Sequence, residues 1–295
     1  TNLYGASGIF DNWSQDWQRA AYVEYFDTLH NRIFSRYAGM QIDGGWGGSR
    51  SHPQHSFRIE FDNNVLGSGT VYYPLIPNRA ERSKYSSIYL RNGSNQYLQL
   101  PYKDAVQEEL MGAETNTYYS AWRPVTVYIN GRYFGLYELR EKFDQEYFKE
   151  LDNASTASTE IFSLSAWYGW TFRAVVGSLD NFNTAYYNFS QLDANSPAYW
   201  DQADQYFDLT NYTDYIISES WMGNTDWPQN NIKVYRSDKT NNRFRFCIID
   251  MELSLQPNGW TDCNTDHIDY ILNQNPSNPF INVFLRSIQN NRFKD

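Results

Sequence analysis

The chain has 295 residues, with 24 Lys and Arg against 34 Asp and Glu for a net charge of −10; 18% of its residues are aromatic and 20% charged. This negative balance opposes broad binding to nucleic acid or anionic lipid, and no apolar run is long enough to span a bilayer. Two cysteines, Cys247 and Cys263, allow at most one disulfide and exclude a Cys-based zinc site within the chain, and His30, His52, His55 and His267 lack metal-ligand spacing.

In chain order, Ala20 to Phe26 and Gly39 to Ile42 are short strand candidates, and Ser56 to Phe61 alternates apolar and polar residues. Between them lies the glycine-rich run Gly44-Gly45-Trp46-Gly47-Gly48-Ser49-Arg50, which lacks regular Gly-x-Gly-x-x-Gly spacing and reads, taken alone, as a β-turn. Tyr102, Ala105, Val106 and Leu110 recur at helical spacing, with Asp104 and Glu108 on that segment as carboxylates that could face a basic residue. Val125 to Ile129 and Tyr133 to Leu139 flank Asn130-Gly131, a strong hairpin signal, and the second strand ends in the charge cluster Arg140-Glu141-Lys142. Asp144 to Leu151 reads as a helix, followed by a small, polar run over Asp152 to Thr159 that suggests a link between an N-terminal region 1–151 and a C-terminal region 152–295.

Leu209 to Trp221 places Tyr212, Tyr215 and Ile216 on one helical face and leads into Gly223-Asn224-Thr225-Asp226-Trp227-Pro228-Gln229-Asn230-Asn231. Two strand patterns follow, to Arg236 and from Arg243 to Ile249, joined by the turn-like Ser237 to Asn242 and ending on Asp250-Met251-Glu252. In an antiparallel hairpin the start of one strand lies beside the end of the next, so Asn231 and Asp250 are expected at one end of the ribbon. Asp226 and Asn231 stand five positions apart, as Asp and Asn do in the protein-kinase catalytic loop. Asp-x-x-x-x-Asn alone is ordinary turn chemistry; the series of loop, hairpin and acidic terminus is what points to phosphoryl transfer. Oxygen ligands at Asn231 and Asp250 suit a hard cation that also takes phosphate and water, with Asp226 as the proton acceptor. Asn278 to Asp295 carries Phe280, Phe284 and Ile288 at i, i+4 and i+8 and reads as one amphipathic helix.

Ordered motifs across nearly the whole chain resemble the CotH kinase-like family of atypical protein kinases, which takes its name from a bacterial spore-coat protein. They are Gly48-Ser49-Arg50 through Pro53-Gln54-His55-Ser56-Phe57-Arg58, then Leu90-Arg91-Asn92-Gly93, Arg123-Pro124, Asn130 to Tyr137, Arg140-Glu141-Lys142, Asn224 to Asn231 and Asp250-Met251-Glu252. The resemblance implies an α+β, bilobal kinase-like fold. Its N-terminal lobe would be β-rich and bind nucleotide, and its C-terminal lobe, mostly helical, would carry a catalytic hairpin and be shorter here than in the family. It further implies ATP with Mg²⁺ or Mn²⁺ as cofactors and a protein Ser or Thr hydroxyl as acceptor. Asp226 would be catalytic, Asn231, Asp250 and Glu252 would hold metal, and Ser49, Arg50, His55, Arg58, Glu141 and Lys142 would line the nucleotide. An exported or cell-surface bacterial protein is expected, its targeting segment outside this sequence.

Three positions depart from the family pattern: His55 stands where Lys is usual, Gln96 where Asp is usual, and Glu252 where a second Asp is usual. Glu252 keeps a carboxylate, whereas a neutral His55 supplies no fixed charge to phosphates, leaving that role to Arg50 and Arg58. The alternative is a catalytically weak pseudokinase serving as an extracellular binding or scaffold module. A hydrolase built on Asp250 and Glu252 fits less well, because neighbouring carboxylates on one strand end do not face each other across a scissile bond.

Overall fold

The computed structural model describes residues 3–45, 48–255, 262, 264–274 and 277–295. It is an α+β protein with two compact units: Thr1–Val106 with Ser120–Asn153, and Gln107–Tyr119 with Ala154–Asp295. The division falls inside a helix as well as after residue 153, a partition that a linker search along the sequence has no means of finding.

The first unit is built on strands β1 (Gln18–Phe26), β2 (Arg32–Ile42), β3 (Phe57–Glu60), β4 (Val71–Tyr72), β5 (Lys84–Tyr85) and β6 (Ser87–Arg91). After helix α1 (Lys103–Glu114), which the division crosses, come β7 (Trp122–Ile129), β8 (Arg132–Arg140) and helix α2 (Gln145–Asp152). Six strands form one antiparallel sheet in the order β1-β2-β3-β6-β8-β7, and β4 pairs with β5. The alternation read in β3 holds: Phe57 and Ile59 are buried, as is Phe61 just beyond, while Arg58 and Glu60 lie half-buried on the other face. β2 is far longer than the four residues expected of it, because its partly exposed first half is stabilised by cross-strand ring pairs with β1, Tyr22–Tyr37 and Tyr25–Phe34, and by Phe34 against Phe61. Asn130, at φ 52°, and Gly131, at φ 77°, make the β7–β8 turn, as the Asn-Gly signal predicts.

The second unit holds β9 (Glu160–Ser165), β10 (Thr171–Val176), α3 (Leu179–Ser190), α4 (Tyr199–Ala203) and α5 (Leu209–Met222). It continues through β11 (Ile232–Arg236), β12 (Arg245–Cys247), α6 (His267–Leu272), α7 (Pro279–Ser287) and α8 (Asn291–Lys294). Its four-stranded sheet runs β10-β9-β11-β12, antiparallel throughout. The helices bury an aromatic core against it, with Phe162, Phe182, Phe207, Phe244, Phe246 and Phe280 packed together and Tyr212, Tyr215 and Ile216 of α5 facing inward as their spacing predicts. β12 is shorter than the pattern over 243–249, because Ile248 N–H donates to the Tyr118 carbonyl (2.8 Å) rather than to β11. The C-terminal helix is likewise interrupted. Buried Asn290 caps α8 and turns its Nδ2 to the Ala194 and Ser196 carbonyls (both 3.0 Å), hydrogen bonds that a continuous amphipathic pattern does not reveal. Cys247 is buried at the end of β12, while Cys263 lies outside the described residues.

Candidate active site

Three connections leave one end of the second unit's sheet. Ile232 at the start of β11 pairs with Leu164 near the end of β9, and Lys233 pairs with Cys247 at the end of β12. The loop into β11, the segment after β12 and the β9–β10 turn therefore share that end.

The loop begins where Gly223, in the left-handed region at φ 66°, closes α5; a Cβ there would stand 2.9 Å from His267 Nε2. Asn224 is buried, its Nδ2 donating to Glu219 Oε2 (2.9 Å) and its Oδ1 accepting from the Asp226 backbone N–H (3.2 Å). Trp227 anchors the loop edge-on against Tyr215, with ring centroids 5.9 Å apart. These contacts fix Asp226, whose Oδ2 accepts from both Asn230 Nδ2 and Asn231 Nδ2 at 2.9 Å each. Burial first and the Asp250 carboxylate second raise the Asp226 carboxyl, the two amide hydrogen bonds oppose the rise, and the net is about 6. Asn231 and Asp250 are both in the left-handed region, at φ 54° and 58°. Side chains of this kind tolerate that conformation better than branched ones do.

Asp250 is held from α1, where Glu108 Oε1 accepts its backbone N–H at 2.9 Å. Of the two α1 carboxylates that could face a basic residue, Asp104, one turn earlier, accepts from Arg140 and Arg91 in the first unit. Behind the loop, burial pushes Glu219 up to about 8; the Asn224 hydrogen bond opposes this, and the Glu108 and Asp226 charges add to it. Glu219 therefore carries a proton at neutral pH. Glu252 is buried. Among the described residues no group of three or more His, Cys, Asp or Glu side chains is placed to hold a metal. The donors that the sequence reading assigns to a cation are the Asp250 and Glu252 carboxylates and the Oδ1 of Asn231, whose Nδ2 is turned to Asp226. Such an all-oxygen set fits a hard cation that completes its shell with water and phosphate.

The other six sequence candidates all lie in the first unit. Ser49 is buried and donates to Ser94 Oγ (2.9 Å). Arg50, which was expected to offer its fork to phosphate, is buried and directs its donors to the Gly44 and Trp13 carbonyls and to Asp16 Oδ1, 2.7 Å away. His55 does not point to open solvent either. Its ring packs 4.8 Å from Phe10, Nδ1–H donates to the Arg50 carbonyl, and burial lowers its pKa, so it stays neutral. Glu141 is buried with Arg82 at 3.0 Å and accepts the Ala121 N–H. Arg58 and Lys142 keep about a quarter of their side chains exposed and share Glu60, at 3.0 and 3.8 Å. Gln96 is buried in the turn after β6. Part of the glycine-rich run, Trp46 and Gly47, lies outside the described residues.

Reading the sequence did not single out Asn224, Asn230 or Glu219 as site residues. Glu219 had a signal: it falls one turn beyond Tyr215 on the buried stripe of α5, where a carboxylate has no place unless it has work or a partner.

An Asp–Asn loop and a second acidic segment thus meet at one end of a hairpin in an α+β protein. The family model described as CotH kinase protein matches residues 40–295, most of the chain, and this protein belongs to that family. A search of curated proteins finds no match.

Proposed function

We propose that this protein is an atypical protein kinase that moves the γ-phosphoryl group of ATP to a protein Ser or Thr hydroxyl. The observation that carries this reading is the Asp226 carboxylate, oriented by Asn230 and Asn231 and lifted to about 6 by burial and by Asp250. A carboxylate with that affinity for protons suits acceptance of a hydroxyl proton near neutrality. As the bond from the acceptor oxygen to γ-phosphorus forms and the bond to ADP breaks, the hydroxyl proton passes to Asp226. Asn231, Asp250 and Glu252 would hold Mg²⁺ or Mn²⁺, which neutralises phosphate charge when bound. In this reading the two units are the lobes of a bilobal kinase-like fold, and the first binds the nucleotide. Arg58 and Lys142 supply its cationic contacts, while Ser49, Arg50, His55 and Glu141 shape the backbone around them. The protein acts as an exported or cell-surface protein of a bacterium.

A second reading, a pseudokinase acting as a binding or scaffold module, draws on His55, which is buried and neutral where the family's usual residue is charged. Thermal shift separates the two. ATP with Mg²⁺ or Mn²⁺ at about 100 times its dissociation constant should add about 2.7 kcal/mol of stability, and EDTA should remove it. Asp250→Ala should lose the metal-dependent shift. No shift at millimolar nucleotide would favour the scaffold.

A further inference from the structure

Asn224 is held through its backbone and through both ends of its side chain. Its N–H donates to the Glu219 carbonyl (3.1 Å), its Nδ2 donates to Glu219 Oε2 (2.9 Å) and stands 3.8 Å from Met251 Sδ, and its Oδ1 accepts the Asp226 N–H (3.2 Å). A carboxamide has a donor end and an acceptor end of nearly the same shape, so the partner at each end decides which way it faces. Asp226 presents an N–H and needs the oxygen; Glu219 Oε2 is the acceptor that receives the other end. The Met251 contact extends the same amide to the segment that carries Asp250 and Glu252. One turn back on α5 the Tyr215 hydroxyl stands by the Glu219 carboxyl, and the Tyr215 ring packs edge-on against Trp227, the residue after Asp226.

Packing does not call for an acid at this place. Glu219 is buried on the helix that also buries Tyr212, Tyr215, Ile216 and Met222. Taking a polar group out of water costs free energy unless hydrogen bonds replace those it had with solvent, and Glu108 on α1 and Asp226 on the loop surround this one with like charge. A leucine would fill the same stripe at less cost. What leucine cannot supply is the acceptor that orients Asn224.

We propose that Glu219 is a positioning residue for phosphoryl transfer: through Asn224 it fixes the backbone of Asp226, and with it the reach of the Asp226 carboxyl toward the acceptor hydroxyl. This rests on the kinase reading of the site. Asn230 and Asn231 orient the carboxyl itself, but both belong to the loop they orient. Trp227 anchors that loop by ring packing, which sets no single distance. The Glu219 link is a hydrogen-bonded path from a 14-residue helix to the Asp226 N–H, so it refers the loop to a rigid element. A displacement of about 1 Å at a reacting group costs roughly 100-fold in rate, which is why a residue that touches no substrate can govern turnover.

The test uses the full chain as Glu219→Leu, Glu219→Gln and Asn224→Ala. Hydrogen exchange at the Asp226 amide, followed by NMR, reads the positioning without turnover; transfer from ATP with Mg²⁺ to a mixed Ser/Thr peptide library reads its consequence. In Glu219→Leu and Asn224→Ala, exchange at Asp226 should quicken about tenfold, the loss of one hydrogen bond. In both, kcat should fall roughly 10- to 100-fold while KM for ATP stays as in the parent. Glu219→Gln keeps an oxygen for Asn224 and should restore slow exchange and most of kcat. Glu219→Leu with Asn224→Ala should be no slower than either single variant, since both break one path. Glu219→Leu should melt no lower than the parent at pH 8; if it fails to fold, Asn224→Ala and Glu219→Gln carry the test. Parental exchange and kcat in Glu219→Leu overturn the proposal, as do additive losses in the double variant. Quickened exchange in a protein whose parent transfers no phosphate would sink the kinase reading and leave the Glu219 link standing; a lower kcat with unchanged exchange would do the reverse.

Discussion

Asp226 is a residue whose fitness for chemistry opposes its contribution to folding. Its carboxyl goes from the ordinary 3.8 to about 6 on folding, because burial and Asp250 both disfavour its charge. A raised pKa means that the folded state holds the proton longer, so this contribution to stability is fully present below pH 3.8 and is lost as pH rises through about 6. Asp226→Asn should therefore stabilise the metal-free protein by about 1–3 kcal/mol at pH 7, as denaturant titration would show, since the amide still offers one oxygen to Asn230 and Asn231. The same variant should bind nucleotide with metal as the parent does and transfer no phosphate. If it transfers at the parental rate, Asp226 is not the proton acceptor.

Helix α5 delivers the site from one side and α1 from the other. α5 carries Glu219 behind the loop, where Asn224 links it to the Asp226 backbone, and α1 supplies Glu108 to the Asp250 amide. Burial raises Glu219 from 4.5 to about 8, so stability falls across that window as pH rises, at up to about 1.4 kcal/mol per pH unit. Glu219→Gln mimics the protonated acid and keeps an oxygen for Asn224. It should match the parent at about pH 4, exceed it at pH 6 and exceed it further at pH 9 in urea unfolding; parallel profiles for the two proteins would show that Glu219 is charged throughout. Periodicity placed α5 and its inward Tyr212, Tyr215 and Ile216 correctly, because a helical stripe is a local pattern. The same stripe gave no hint that Glu219 would be protonated, since that depends first on which distant side chains exclude water from it and then on charges such as Glu108, more than a hundred residues away in the chain.

At the scale of the whole molecule, a −10 chain keeps some of its cations inside. Arg82 and Glu141 pair at 3.0 Å with both side chains fully buried, and Tyr85 and Tyr147 pack on the guanidinium. Removing Arg82 takes from buried Glu141 its nearer counterion and leaves it the Arg79 guanidinium 3.9 Å away, so Arg82→Met should destabilise the protein by about 3 kcal/mol in thermal or urea unfolding. Arg82→Met with Glu141→Leu should recover part of that loss. A change below 1 kcal/mol in the single variant would mean that water reaches the pair.

From the sequence alone, local regularities determined much of the protein: the β3 alternation, the Asn130-Gly131 turn, the α5 stripe, and the hairpin that brings the Asp226 loop and the Asp250 segment to one end. Each depends on neighbours a few residues apart, where backbone periodicity and turn chemistry act. The ordered motifs also placed the chain in its family. Tertiary structure decided the rest. It buried His55 against Phe10 and directed Arg50 to Asp16, although both read as surface cations or near-cations. It broke the last helix at Asn290, divided α1 between two units, and joined the β9–β10 turn to Asp226 through Asn230. Those outcomes depend on which distant groups exclude water from a side chain and which hydrogen-bond partners remain to it, and no spacing along the chain records either.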